Sequence, residues 1–239
     1  MARTWPRLGR LDRKELLWLL AGLGLCVLLF AFVSLAGEVM EGDTQTFDTR
    51  ILQALRDPLD PSKPLGPAWI EGSLLDLTSI GGSTVLGLMI VAVVGFLVLQ
   101  TRYRTAIVVA ITTISGEALN AAMKYVFNRP RPTIVPHLRD VYSTSFPSGH
   151  AMESAIVYLT LAAILMRASD SRLTKLYILG IAVLLTSLVG ISRVYLGVHY
   201  PTDVIGGWIV GFMWALICSL IARRFEGAAH IQAEKSKSA

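Results

Sequence analysis

The sequence predicts an all-α, polytopic membrane protein, and three observations support that prediction. Of the 239 residues, 53% are hydrophobic and only 16% are charged, against roughly 25% charged in an ordinary soluble domain. The mean hydropathy is +0.56, and the apolar residues form continuous runs. Runs of about 20 residues match a transmembrane helix, whereas barrel strands alternate over about 10 residues. Disorder is therefore excluded and a soluble globule is disfavoured.

Six apolar runs are long enough to cross the membrane as helices. They occupy residues 16–36, 83–99, 105–127, 148–166, 176–196 and 201–222. The second run begins at Ser83 or as early as Leu74. The first run also resembles a signal peptide, with Ser34 and Ala36 as a loose cleavage site. Because it is longer than an h-region of roughly 7–15 residues, we favour an uncleaved anchor.

We expect one integral-membrane domain over residues 1–239. Residues 1–40 contain the N-terminal tail and the first span, and residues 41–82 form an outer loop. Residues 83–222 form a five-span core. Residues 223–239 form a short, polar cytoplasmic tail, which we expect to be disordered.

The lysines and arginines predict the orientation of the spans. Most of the 22 basic residues lie in the N-terminal segment, the connections after the second and fourth spans, and the C-terminal tail. The positive-inside rule places these segments, and hence both termini, in the cytoplasm. The net charge of +5 therefore orients the protein and indicates no nucleic-acid surface.

The outer loop contains a helical pattern followed by prolines. Four apolar residues recur at helical spacing and predict a short amphipathic helix on the outer surface: Phe47, Ile51, Leu52 and Leu55. Asp43 or Thr44 is available as its cap. Four prolines then predict an extended stretch: Pro58, Pro61, Pro64 and Pro67. We interpret the loop as a cover without a catalytic part.

The sequence indicates neither a disulfide framework nor a metal site. Cys26 and Cys218 lie in apolar runs, so we predict two free, buried thiols. The chain has no cysteine pair and no His-x-x-x-His spacing, and we therefore expect no metal ion.

The third span ends in a cluster of cations. Lys124 and Arg131 are separated by six residues, and Pro130 and Pro132 stop the helix between and after them. Taken alone, such cations are typical of a membrane-edge anchor.

The fourth span opens with Pro147, Ser148, Gly149 and His150. Ser148 suits an N-cap, and Gly149 permits a close approach of a ligand to the backbone. Free amides at a helix N-terminus bind anions, and His150 beside them can exchange protons. An ordinary cap with an interfacial histidine is the alternative.

The fifth span ends at Arg193, and the sixth begins near His199 and Asp203. Asp203 follows His199 by four residues, so its carboxylate can reach one imidazole nitrogen across a helical turn. That contact fixes the tautomer and leaves the other nitrogen free as a nucleophile or base.

All three clusters lie at the outer ends of spans. Together they offer two histidines, one carboxylate, separated cations and a helix N-terminus. This set suits phosphoryl transfer, which needs charge stabilisation, a nucleophile and an acid for the leaving group. Charged side chains at membrane depth are functional candidates because their burial is costly.

These motifs resemble the type 2 phosphatidic acid phosphatases, integral-membrane lipid phosphatases related to the vanadium haloperoxidases. The family pattern is Lys-x6-Arg-Pro, then Pro-Ser-Gly-His, then Ser-Arg-x5-His-x3-Asp, and this chain matches all three in order. The six spans also match the core of the family. The chain is thus identified as a membrane member of this family, and its compactness favours a bacterial source.

The resemblance implies a role for each motif residue. His199 attacks phosphorus and becomes a phosphohistidine, Asp203 orients it, and His150 protonates the leaving oxygen and then activates water. Five groups hold the phosphate oxygens: Lys124, Arg131, Arg193, the Ser148 hydroxyl and the Gly149 amide. The family needs no metal, so we expect no metal and no cofactor.

Other polar residues lie near these motifs. Glu117 precedes Lys124 by two helical turns, and Glu153 follows His150 by three residues. Each lines the headgroup pocket or, equally, forms an interhelical hydrogen bond. Asp76 and Thr78 are candidates for the opposite wall of the pocket.

The resemblance implies a lipid phosphatase of the inner (cytoplasmic) membrane, and the charge pattern predicts that its site lies on the extracytoplasmic side. Its substrate is undecaprenyl diphosphate, phosphatidylglycerophosphate or phosphatidic acid, entering sideways from the bilayer, with no nucleic acid and no obligatory protein partner. One alternative is a lipid phosphotransferase using the same phosphohistidine. The other is a non-catalytic protein that binds anionic lipids, but binding alone needs no His150, His199 and Asp203 set.

Overall fold

The computed structural model describes residues 12–141 and 143–237 of the chain. This part folds into eight helices, and its only β-type pairing is an isolated bridge between Arg56 and Pro64. The helices are α1 (Arg13–Glu41), α2 (Gln45–Ala54), α3 (Ala68–Ser79), α4 (Ser83–Leu99), α5 (Tyr103–Phe127), α6 (Gly149–Arg167), α7 (Arg172–Tyr195) and α8 (Pro201–Lys237).

The membrane-spanning helices confirm the predicted fold class. By length and composition, α1, α5, α6, α7 and α8 can each cross a bilayer. The helices α3 and α4 meet at an angle of 46° and complete a set of six if they count as one broken span. The break contains Gly81 and Gly82, which favour a helix boundary because glycine is a poor helix former.

The outer loop contains the predicted short helix and a further one. The helix α2 has Thr44 as its N-cap, although the Thr44 side chain makes no capping hydrogen bond. Its Asp48 and Leu52 side chains are fully buried. The proline-rich stretch ends at Pro67, the N-cap of α3. A proline there removes no hydrogen bond of the helix, because the first N–H groups of a helix have no partner within it.

Two expectations, one about the C-terminal tail and one about the cysteines, were wrong. The polar tail predicted to be disordered instead continues α8 as far as Lys237, and its alanine, glutamate, glutamine and lysine residues are good helix formers. Cys26 and Cys218 are free, but Cys26 is exposed and Cys218 only half-buried. Apolar runs of a membrane helix face lipid as well as protein, so an apolar context does not imply burial in the protein.

The helices α6 and α8 pack closely against each other. A Cβ atom on Gly211 would lie 2.6 Å from the Met152 carbonyl oxygen and 2.7 Å from the Ala155 Cβ atom. Small residues of this kind let two membrane helices approach closely. The contact holds the start of α6 beside the start of α8, and we call this end of the bundle the site end.

Candidate active site

The start of α8 brings His199 and Asp203 together. The His199 Nδ1 atom lies 3.4 Å from the Asp203 Oδ2 atom, across the one helical turn that the sequence predicts. Burial, only partly offset by Asp203, lowers the pKa of the His199 imidazole to about 3. The ring is therefore neutral at pH 7, as a nucleophile requires.

The Asp203 carboxylate is held by several donors besides His199. Its Oδ2 atom accepts hydrogen bonds from the Ser145 hydroxyl and from the Tyr200 amide, the latter at 2.8 Å. Its Oδ1 atom accepts from Arg129 at 2.5 Å. A fully buried carboxylate needs such partners because its charge is otherwise costly to bury. Asp203 thus has a fixed position from which to orient the imidazole ring.

The other imidazole nitrogen of His199 faces a cation. The Arg131 guanidinium lies 3.1 Å from the His199 Nε2 atom. Arg131 also donates to the Val198 carbonyl at 2.6 Å and to the Ser143 carbonyl at 2.6 Å. The Ser143 hydroxyl accepts from both Arg131 and Lys124 at 3.0 Å. Two of the predicted phosphate-binding cations therefore meet at one serine that the sequence motifs do not include.

The start of α6 contributes two polar side-chain groups that lack a hydrogen-bond partner among the described residues. Ser148 is the N-cap, as predicted, but its hydroxyl makes no capping hydrogen bond. Within the part of the chain described, the buried Ser148 hydroxyl and the buried His150 Nε2 atom have no hydrogen-bond partner. A Cβ atom on Gly149 would lie 2.8 Å from Asn120 Nδ2 and 3.4 Å from Lys124 Nζ. Only glycine therefore leaves room at this corner.

Arg193 lies at the end of α7 with its side chain almost fully buried. It donates to the Thr78 hydroxyl of α3 at 2.9 Å, and its Nε atom has no partner among the described residues. Thr78, a candidate for the opposite wall of the headgroup pocket, therefore contacts Arg193, one of the residues predicted to bind phosphate.

Glu117 and Glu153 line one cavity next to this cluster. The cavity has a volume of about 540 Å³ and is otherwise largely apolar, between α4, α5 and α6. The Glu153 carboxylate accepts hydrogen bonds from Asn120 at 3.0 Å and Ser83 at 2.9 Å. Glu153 therefore both lines the cavity and forms hydrogen bonds to two other helices.

The structure adds residues to those that the motifs predict. Arg129 lies between Lys124 and Arg131 in the first motif. Its place in the sequence does not indicate that it donates a hydrogen bond to Asp203 and not to a phosphate. Ser143 and Ser145 lie in the loop before the second motif and match no pattern. Asp48 has a recognisable signal, since it precedes Leu52 by four residues and thus lies on the buried face of α2.

Comparisons with known proteins agree on one family. Residues 104–226 match the PAP2 superfamily model. Phosphatidylglycerophosphatase B of Bacillus subtilis is 31% identical over 191 residues, which cover 78% of this chain and 88% of that protein. The undecaprenyl-diphosphatase of Sulfolobus acidocaldarius is 34% identical over 121 residues, 48% of this chain and 54% of that protein.

A solved structure gives the same result for the fold. The crystal structure of a transmembrane PAP2-type phosphatidylglycerolphosphate phosphatase from Bacillus subtilis aligns with a TM-score of 0.73 and 28% identity. The alignment covers 84% of this chain and 96% of that one. The similarity therefore extends over nearly the whole bundle, beyond the three motifs.

Proposed function

The chain belongs to the PAP2 superfamily as a membrane phosphatase of phosphorylated lipids, and we propose that it works through a phosphohistidine on His199. The observation that supports this proposal best is the environment of the two His199 nitrogens. Nδ1 faces the Asp203 carboxylate, and Nε2 faces the Arg131 guanidinium at 3.1 Å. The nitrogen that is free to attack thus points to the cations that would hold a phosphate.

In the first step, the Nε2 lone pair of His199 attacks phosphorus and the bond from phosphorus to the lipid oxygen breaks. The leaving oxygen takes a proton from His150, whose Nε2 atom has no described protein partner. Positive charge on the phosphorylated ring is stabilised through Nδ1 by Asp203. The products are a dephosphorylated or monophosphorylated lipid and the phosphoenzyme.

In the second step, water attacks the phosphohistidine. His150 accepts a proton from this water, the phosphorus–nitrogen bond breaks, and the electron pair returns to His199. Inorganic phosphate leaves, and the free enzyme is restored. Lys124, Arg131 and Arg193 stabilise the charge on the phosphate oxygens in both steps.

Lipid tails need a path to this site from the side of the bundle. The cavity between α4, α5 and α6 offers one, because it runs from Ser83 and Glu153 along apolar residues. Two residues that line it, Val91 and Ile114, are 72% and 70% exposed, so it opens sideways. The tail of the substrate lies in this cavity in our proposal, with the phosphate among the cations.

The substrate and the membrane face complete the proposal. Relatives named for phosphatidylglycerophosphate and undecaprenyl diphosphate favour these two lipids as substrates. The match to the phosphatidylglycerophosphatase covers more of this chain than the match to the undecaprenyl-diphosphatase. Phosphatidic acid is the third candidate. The positive-inside rule favours a site on the extracytoplasmic side of the cytoplasmic membrane with both termini in the cytoplasm.

The test is phosphate release from the three lipids in detergent, with EDTA present. We expect release from at least one lipid without a divalent ion, and an acid-labile label on the protein after brief reaction with a labelled phosphate headgroup. No release, or a strict requirement for a divalent ion, would overturn the proposal. Label transferred to an added acceptor lipid rather than to water would identify a phosphotransferase instead.

A further inference from the structure

The outer-loop helix α2 places a buried carboxylate behind the candidate active site. Asp48 is fully buried, and it lies well before residues 104–226, the part that matches the family model. Its Oδ2 atom accepts from Arg129 at 2.8 Å and from the Thr202 hydroxyl at 2.6 Å. Its Oδ1 atom accepts from the Thr202 amide at 3.1 Å. Asp48 therefore joins α2 to the start of α8 and to the loop after α5.

Arg129 is shared between two carboxylates. One guanidinium nitrogen contacts Asp48, and the other contacts Asp203 at 2.5 Å. The guanidinium also lies 4.2 Å from the centre of the Tyr200 ring. Its planar fork can hold two acceptors at fixed angles, which a lysine cannot do. The position of Asp203 thus depends on Arg129, and Arg129 is held in turn by Asp48 through its second guanidinium nitrogen.

The charges of this network do not cancel. Two buried carboxylates share one guanidinium, so Asp48, Arg129 and Asp203 together keep one negative charge. Burying such a charge is unfavourable unless a nearby positive charge offsets the cost of removing it from water. The His199 ring beside Asp203 becomes positive when its Nε2 atom binds phosphorus. The excess negative charge lies where that positive charge develops.

Anchoring α2 does not require Asp48. Leu52 is fully buried against Val135, Ala151 and their neighbours. The Arg56 guanidinium, just after α2, donates to the Tyr195 carbonyl at 2.9 Å. These contacts already fasten the helix to the bundle, so the buried charge of Asp48 needs another explanation.

We propose that Asp48 is a positioning residue, which holds Arg129 so that Asp203 keeps both its orientation and its negative charge toward His199. The inference rests on the proposed nucleophilic role of His199. Without the charge of Asp48, Arg129 neutralises Asp203 alone, and the carboxylate stabilises the charged ring less well. The cations that hold the phosphate are unaffected because none of them contacts Asp48.

The test is Asp48→Asn, which keeps the shape and an acceptor oxygen but removes the charge. We expect kcat to fall by about 10–100-fold, the range known for residues that hold a metal ligand in place, where one side chain likewise orients another. KM and the inhibition constant of inorganic phosphate should change less than about twofold. Asp43→Asn is the matched control, since Asp43 is exposed just before α2, and its kcat should equal that of the wild type.

A second variant tests the same inference if Asp48→Asn does not fold. Arg129→Lys keeps the positive charge but cannot bridge both carboxylates, and we expect the same fall in kcat with unchanged phosphate inhibition. The inference is overturned if either folded variant keeps the wild-type kcat, or if kcat, KM and phosphate inhibition all change together. An active wild type with no acid-labile label would instead overturn the phosphohistidine itself.

Discussion

The site end and the lipid-facing surface of this bundle invert the usual distribution of polar and apolar side chains. At the site end, Arg193 is 2% exposed and Asp203 is fully buried, whereas Phe30 of α1 and Leu88 of α4 are 75% and 68% exposed. Apolar groups on a membrane helix lie in a solvent as apolar as they are, while charged groups must find partners inside. Polar side chains are therefore buried at the site end, and apolar side chains cover the lipid-facing surface.

Glycines show the same difference in packing. A Cβ atom on Gly211 of α8 would collide with the backbone of α6, but one on Gly22 of α1 would meet nothing within 4 Å. At the site end, α6 and α8 are thus so close that even one added methyl group would force atoms to move. The outer surface tolerates added atoms, because lipid rearranges around them.

The largest effect should come from the site end itself. His199→Ala should lower kcat by at least about 10³-fold, the scale seen when a nucleophile is removed from a group of residues that act together. The acid-labile label should also disappear. Phosphate release is measured in detergent, with size-exclusion elution and thermal unfolding as checks that the variant is folded. A folded variant that keeps its label would place the nucleophile elsewhere.

A smaller effect should follow from added bulk between α6 and α8. Gly211→Ala should destabilise the protein by about 1–3 kcal/mol, as overpacking in a well-packed interior does, and should lower kcat by moving α6 relative to Asp203. Thermal unfolding in detergent measures the first effect. Gly22→Ala is the matched control; it should leave kcat unchanged and should not destabilise the protein, since alanine is the better helix former and its Cβ atom meets nothing. Equal effects at both glycines would remove the proposed contrast in packing.

The smallest effect should appear in the cavity between α4, α5 and α6. Gly87→Leu places a side chain into it, and nothing lies within 4 Å of the added Cβ atom. KM for a long-chain lipid phosphate should rise roughly tenfold, the scale of one misfit in an apolar pocket. Dihexanoyl phosphatidic acid should be affected much less, because its short tails occupy little of the cavity.

The control for the cavity is Gly180→Leu on α7. Gly180 also has open space around it but does not line the cavity. Its KM values for both lipids should match those of the wild type. A similar rise for both variants, or no rise for Gly87→Leu, would show that the tail lies elsewhere.

Local patterns predicted much of the site. The separation of four residues between His199 and Asp203 corresponds to one helical turn, and the structure shows that contact. The Pro-Ser-Gly-His run opens α6 as expected. The bend between α3 and α4 was not predicted, because Gly81 and Gly82 favour a helix boundary but do not set the angle at which the two helices meet. Nor was the continuation of α8, since a polar tail of helix-forming residues resembles a disordered one in composition.

The sequence by itself determined the membrane-spanning helices, the charge pattern that favours an orientation, and the motif residues at the ends of the spans. These features depend on residues that are close in the chain, so spacing and composition are enough. Only the tertiary structure decided that Ser143 joins Lys124 to Arg131, and that Asp48 reaches Asp203 through Arg129. Asp48 and Asp203 are far apart in the sequence. Helix packing alone brings them together, and no local pattern records it.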